Sequence, residues 1–238
     1  MSESPASKFI LSAGNFFFRY RNALFPAVFF FVFVMSAPIP RSPFADAFEA
    51  LGVALVVAGQ AFRLAVIGFA YIKRGGKDGK VFAEKLVVRG FYAHTRNPMY
   101  VGNGLIVLGL SLAYQSVWSL GVALPFFLSA YYAIVAAEER YLRAQFGEEY
   151  EAYARRVNRF IPDFRGLRAS LSEFRYDWKR AIRKDYGNIA FAALALLAIG
   201  AREGLDRVWL FRGLFVTGAF YFAARFLKKS GRLASPNT

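Results

Sequence analysis

From Phe44 to Tyr71 the chain is apolar almost without interruption, and the basic group inside that stretch is Arg63. A run of this length crosses a hydrocarbon layer only as a helix, because a helix satisfies its own backbone polar groups there. The stretch carries Gly52, Gly59 and Gly68, which allow close helix approach, and Gln60 and Arg63 one turn apart on one face. Arg63 reads equally as a structural, snorkelling cation or as a ligand-facing one.

Other apolar runs repeat the theme. Phe9 to Phe18 is too short to span and is followed by Arg19, Tyr20 and Arg21, which suits an interfacial helix. Ala23 to Ala37, ended by Pro38 and Pro40, is a first span that borrows length from the helix before it. Met99 to Tyr114 and Val117 to Ala136 form an antiparallel hairpin turning at Gln115-Ser116. Ile189 to Ala201 and Val208 to Leu227 form a second, with Arg202, Glu203, Asp206 and Arg207 in its turn.

The fold expected is all-α: a polytopic transmembrane helical bundle of about six spans, both termini cytoplasmic, with interfacial amphipathic helices. Three units are expected: 1–43 as an interfacial helix and first span, 44–163 as a membrane core, and 164–238 as an extension. Within the extension Leu167, Leu171, Phe174 and Trp178 recur at helical intervals in the basic segment Arg165 to Tyr186, predicting an amphipathic surface helix.

A net charge of +15 would suggest nucleic acid in a soluble chain. Here the chain is 56% hydrophobic, its cations flank apolar runs, and no recognition module accompanies them, so the positive-inside pattern and lipid headgroups explain the charge. Lys73 to Arg89, read as a glycine-bearing basic loop, marks the cytoplasmic side. The absence of cysteine excludes thiolate catalysis and cysteine-held metals, and a single histidine excludes a multi-histidine site, so no metal is expected. The polar amino terminus and Arg19 and Arg21 argue against a cleaved signal peptide.

Two polar islands border the first hairpin. At its start Arg96-Asn97-Pro98 precedes Tyr100 and Gly102. Pro98 opens a helix and holds Asn97 out of helical geometry, next to free N–H groups that suit a carboxylate. At its end lie Glu138 and Glu139, with Arg140 and Arg143 within one turn of them, and then an aromatic stripe of Phe146, Tyr150 and Tyr153. Each island has a plain structural reading: a helix start, an ion-paired helix end and a packing stripe. Together they suggest a shared ligand cavity at one membrane face.

In combination, G-F-Y-x-x-x-R-N-P-M-Y-V-G (90–102), E-E-R-Y-L (138–142) and F-G-E-E-Y-x-x-Y-x-x-x-V-x-R-F-I-P (146–162) resemble the isoprenylcysteine carboxyl methyltransferases. They are similar, more loosely, to phospholipid N-methyltransferases and membrane sterol reductases. The likeness covers about Gly52 to Pro162. It implies an integral membrane enzyme, in a bacterial inner membrane with its site facing the cytoplasm, that binds S-adenosylmethionine and takes a lipidic acceptor from the bilayer. It also implies a cofactor cradle of His94, Arg96, Asn97, Pro98, Tyr100, Gly102, Glu138, Glu139, Phe146 and Tyr150. Asn97 departs from the usual histidine, and its amide still donates hydrogen bonds but carries no charge.

Arg96, Arg63 and Glu139 are the catalytic candidates. A carboxylate acceptor is already anionic and needs no base, and an arginine would hold it, so O-methylation (carboxyl methylation) of a lipid leads. N-methylation of a phospholipid headgroup would need Glu138 or Glu139 as base. An NADPH-dependent reductase and a non-enzymatic scaffold are the remaining alternatives. His94 reads from its loop position as a surface or interfacial residue.

Overall fold

The computed structural model describes residues 4–36, 43–69, 74–77, 80–83 and 85–233. Pro38, Pro40, Tyr71, Lys73 and Gly79 lie outside them.

Ser4 caps the first helix by accepting from the Ser7 amide, and Pro5 opens it. This helix, α1 (Pro5–Met35), is continuous through Pro26. The interfacial piece and the first span expected from sequence are thus one element. Next come α2 (Ala45–Phe69), α3 (Pro98–Tyr114), α4 (Leu124–Arg156), the short α5 (Leu167–Ser172), α6 (Trp178–Arg202) and α7 (Arg207–Lys229). A π-helical turn at Ser119–Ala123 leads into α4. Of these, α2, α4 with its π turn, and α7 have the length and hydropathy of membrane spans, while α3 is apolar but shorter. Outward-facing Trp209, Phe211, Phe215, Phe222 and Phe226 on α7 are exposed, as a lipid-facing surface allows. The described residues form a helical membrane bundle.

Two expectations change. Part of the stretch read as a basic loop is an antiparallel hairpin, β1 (Arg74–Lys77) and β2 (Lys80–Ala83). The surface helix expected over Arg165 to Tyr186 is broken. Leu167 and Leu171 on α5 pack against Val66 and Phe91, whereas Asp177 accepts from the Arg180 amide and starts α6 afresh, which then runs directly into the apolar segment from Ile189. Arg180 caps α2 in turn, donating from Nε to the Ile67 carbonyl at 2.8 Å and from Nη2 to that of Gly68 at 2.7 Å, where the helix dipole favours a cation.

The bundle is tightest between α2 and α3. A Cβ on Gly59 would lie 2.7 Å from the Gly102 carbonyl oxygen, and one on Gly102 would lie 2.5 Å from Arg63 Cγ. Backbones therefore touch here, and Gly102 belongs to this contact.

α4 bends at Gly147, whose φ of 51° and ψ of −124° lie outside what side-chain-bearing residues adopt readily. The bend turns the segment after it back toward the start of α3. Tyr150 and Tyr153 pack there with Leu142 and Ala83, and Tyr153 donates to the Tyr92 carbonyl at 2.7 Å.

Candidate active site

The two polar islands meet. Arg96 donates from Nε to Glu139 Oε1 at 3.1 Å, and Asn97 donates to the same oxygen at 3.2 Å. Arg159 takes Oε2, through Nε at 3.1 Å and Nη2 at 2.7 Å. Glu139 is only 1% exposed, so one buried carboxylate joins the α3 corner, α4 and the segment after the Gly147 bend. Burial works against the Arg159 cation, but hydrogen bonding to Glu139 and its charge more than offset this and raise the Arg159 pKa. Arg96 also donates from Nη1 to the carbonyls of Ala154 and Val157, at 2.6 and 3.0 Å. Its backbone amide reaches the Asn158 carbonyl at 2.8 Å, and the Asp163 amide reaches that of His94 at 3.0 Å. These bonds clasp 94–97 to 158–163.

Glu138 points elsewhere. Consecutive helical residues diverge by about 100°, and this second carboxylate lines a cavity of about 910 Å³ shared with Asn97, Tyr100, Asn103 and Arg63. Tyr100 donates to Glu138 Oε1 at 2.7 Å, and Arg21 Nη1 reaches the Tyr100 hydroxyl at 3.5 Å. Arg63 is buried and braced: it donates from Nε to Asp185 Oδ2 at 3.1 Å, and its two Nη atoms to Asp185 Oδ1 and Asn103. Gln60 donates to Asp185 at 2.6 Å and accepts from Asn188 at 2.8 Å. Arg21, Lys184 and Lys228 complete a cation-rich lining, with Tyr92 and Tyr131 as aromatic walls.

Several expected site residues fall outside the cavity. Arg96 and Glu139 are held in the clasp and are not among the residues that line the cavity. Tyr150 is buried in the Leu142–Tyr153 cluster with Phe146 against it, because the aromatic stripe packs inward. Gly102 faces α2, and Pro98 is buried at the start of α3. His94 is buried rather than superficial; it donates from Nδ1 to the Asp163 carbonyl and accepts at Nε2 from the Ser170 hydroxyl at 2.9 Å. Arg143 turns to Glu151 at 2.7 Å, across the bend.

Sequence reasoning missed Asp185, Asn103, Arg21, Lys184 and Lys228. One signal was available: a cation inside an apolar span needs a partner, and Asp185 is a carboxylate just ahead of another apolar run. Among the described residues no group of acidic or histidine side chains has metal-holding geometry.

The lining suits S-adenosylmethionine in its chemistry. Glu138 answers an ammonium or sulfonium, Arg63 answers a carboxylate, Tyr92 and Tyr131 are aromatic lining suited to a flat base, and the volume is that of a small-molecule site.

Residues 48–149 match the family described as phospholipid methyltransferase. The cobalt-zinc-cadmium resistance protein CzcN of Cupriavidus metallidurans is 34% identical over 105 residues, covering 44% of this chain and 46% of that protein. The chain thus spans less than half the length of this curated relative. No solved structure matches it. Arg63, the Arg96–Gly102 corner and the glutamate pair all fall within the residues that match the phospholipid methyltransferase family, inside a helical membrane bundle.

Proposed function

We propose that the protein is an integral membrane S-adenosylmethionine-dependent methyltransferase that methylates a lipidic acceptor, in the first instance on a carboxylate oxygen. The observation that carries this reading is the convergence of Glu138, Asn97, Tyr100 and Arg63, all within the residues that match the family, on one cation-rich cavity.

S-adenosylmethionine supplies a methyl group carried on a sulfonium. Glu138, steadied by Tyr100, attracts the cationic part of the cofactor, and Asn97, whose side-chain amide donates to Glu139 and to the Arg159 carbonyl, shapes the wall beside it. Arg63, held by Asp185 and Asn103, presents its remaining N–H groups to an anionic acceptor. Aligning the acceptor oxygen in a dry site is then the protein's main contribution. A carboxylate oxygen uses its own lone pair and no proton has to move, which suits a site where Glu139 is locked in the clasp and His94 stands outside. Arg96 and Glu139, the earlier catalytic candidates, become supports for the corner that carries Asn97. The positive-inside pattern supports assigning the Lys184–Lys228 end to the cytoplasm.

N-methylation of a phospholipid headgroup is the second reading, favoured by Glu138 as a carboxylate within the cavity. Calorimetry in detergent tests the class: S-adenosylhomocysteine should bind, and NADPH should not. Binding of NADPH alone would turn the assignment to a reductase, and binding of neither to a scaffold. Labelled methyl transferred into a lipid extract and then treated with base separates the acceptors, because methyl esters release methanol and methylamines do not.

A further inference from the structure

The cavity is far longer than a cofactor site requires. Tyr100, Asn103, Val107, Leu110 and Tyr114 all line it, and these positions form one continuous stripe along α3. A 17-residue helix is about 25 Å long at about 1.5 Å per residue. The hydrocarbon core of a bilayer is about 30 Å thick, so the space runs past the midplane. Opposite α3, Phe25, Phe29 and Val32 continue the stripe along α1, and Phe127 and the π turn of α4 add to the wall. Phe29 and Phe191 meet edge to face at 5.4 Å and bridge α1 to α6.

The two ends differ in chemistry. One holds Glu138, Arg63, Lys184 and Lys228. At the other, Ser111, Tyr114 and Ser119 close the space in a buried polar network: Ser36 donates to the Tyr114 hydroxyl at 3.1 Å, Ser119 Oγ donates to the Ser111 carbonyl at 3.2 Å, and Arg202 donates to the Tyr114 hydroxyl. Between these ends the lining is largely apolar.

We infer that this space is a tail-binding tunnel that selects acceptors by length: it takes one extended apolar tail of a single-chain anionic amphiphile, and the Ser111–Tyr114–Ser119 floor stops it. This deepens the proposed methyltransferase reading and rests on it for the word acceptor. An ordinary lipid tail reaches only to the midplane, whereas this tunnel accommodates a tail that passes it. Hydrocarbon has nearly the same environment in tunnel and bilayer, so discrimination comes from the floor as a steric and polar stop. Short tails fit, and tails that would have to enter the polar floor do not.

Fatty acids carrying a photoreactive diazirine test the tunnel without needing turnover. The full chain in nanodiscs is irradiated with probes whose diazirine lies mid-chain or at the tail end, and labelled residues are mapped by mass spectrometry. The mid-chain probe should label Ile106 and Val107, and the terminal probe should label Leu110 to Ser119. Labelling should fall at least tenfold when the tail is lengthened beyond the floor. Val107→Phe should cut terminal-probe labelling of the floor at least tenfold, with the melting temperature measured alongside. If that variant does not fold, the length series on the unaltered protein decides. Labels confined to outward residues such as Val122, Leu128 and Phe215, or labels that ignore diazirine position, would overturn the inference. Absence of S-adenosylhomocysteine binding with ordered labelling would sink the methyltransferase reading and leave the tunnel; the reverse pattern would remove the tunnel alone.

Discussion

Glu138 and Glu139 adjoin in sequence yet serve different ends, and glutamine substitution at each should separate them. Glu139 accepts from three side chains at 2.7 to 3.2 Å while 1% exposed. Removing its charge leaves Arg96 and Arg159 facing a neutral amide, with their side chains 12% and 29% exposed. Breaking a buried ion pair costs about 3–5 kcal/mol. Arg159 can recover some water, which puts Glu139→Gln near the lower end, about 3 kcal/mol. For a chain of this size that is a fall of roughly 6–12 °C in melting temperature. Glu138→Gln keeps an acceptor for Tyr100 and should melt within about 2 °C of the parent. It removes the carboxylate that answers the cofactor's positive end, so S-adenosylhomocysteine should bind at least about tenfold more weakly, about 1.4 kcal/mol. Melting in detergent at one fixed scan rate, since unfolding of such proteins is often irreversible, and calorimetry on the same samples read both quantities. A Glu139→Gln protein that melts like the parent, or a Glu138→Gln protein that binds like it, would refute the division of roles.

Three further outcomes follow from the geometry. Gly59→Val places branched carbon against the Gly102 carbonyl and should cost about 1–3 kcal/mol, read as a lower melting temperature; an unchanged value would mean α2 and α3 are not in backbone contact. Gly147→Ala forces a side chain into a glycine conformation at a cost of about 1–3 kcal/mol, and should loosen the clasp, seen as faster amide exchange over 148–163. Burial, Arg183 and Lys228 together lower the pKa of Lys184, so the unfolded chain binds that proton more tightly and stability rises as pH climbs through the folded value toward the ordinary lysine one. Lys228→Met should raise that pKa, measured by carbon NMR of the methylated lysine; no upward shift would contradict the proximity of the two cations.

Much of this architecture is legible in the chain itself because the signals are local. Arg96-Asn97-Pro98 marks the start of α3 since proline tolerates the first helical position, and Gln115-Ser116 marks the hairpin since two long apolar runs leave no room for anything but a turn. The break before α6 was less visible. Leu167, Leu171, Phe174 and Trp178 keep a helical period across it, and what interrupts them is the Asp177 cap together with Tyr176 folding onto Gly68. The pairing of Arg63 with Asp185 links residues 122 positions apart and depends on α6 packing beside α2. Periodicity carries no information about such a neighbour. The glutamate pair was recognisable as important, but only its rotation on α4 reveals which member faces the cavity and which is sealed inside the clasp.

That rotation gives α4 a strict reading frame. Slipping the helix by a single residue would turn it through about 100°, in one direction bringing Arg140 against Arg96 and Glu139 to the cavity wall, in the other bringing Glu138 against Arg96 and Ala137 to the wall. Lengthening or shortening the stretch between the π turn and the two acids should therefore be far more damaging than most single substitutions along it, since one missing peptide unit misdirects both carboxylates at once.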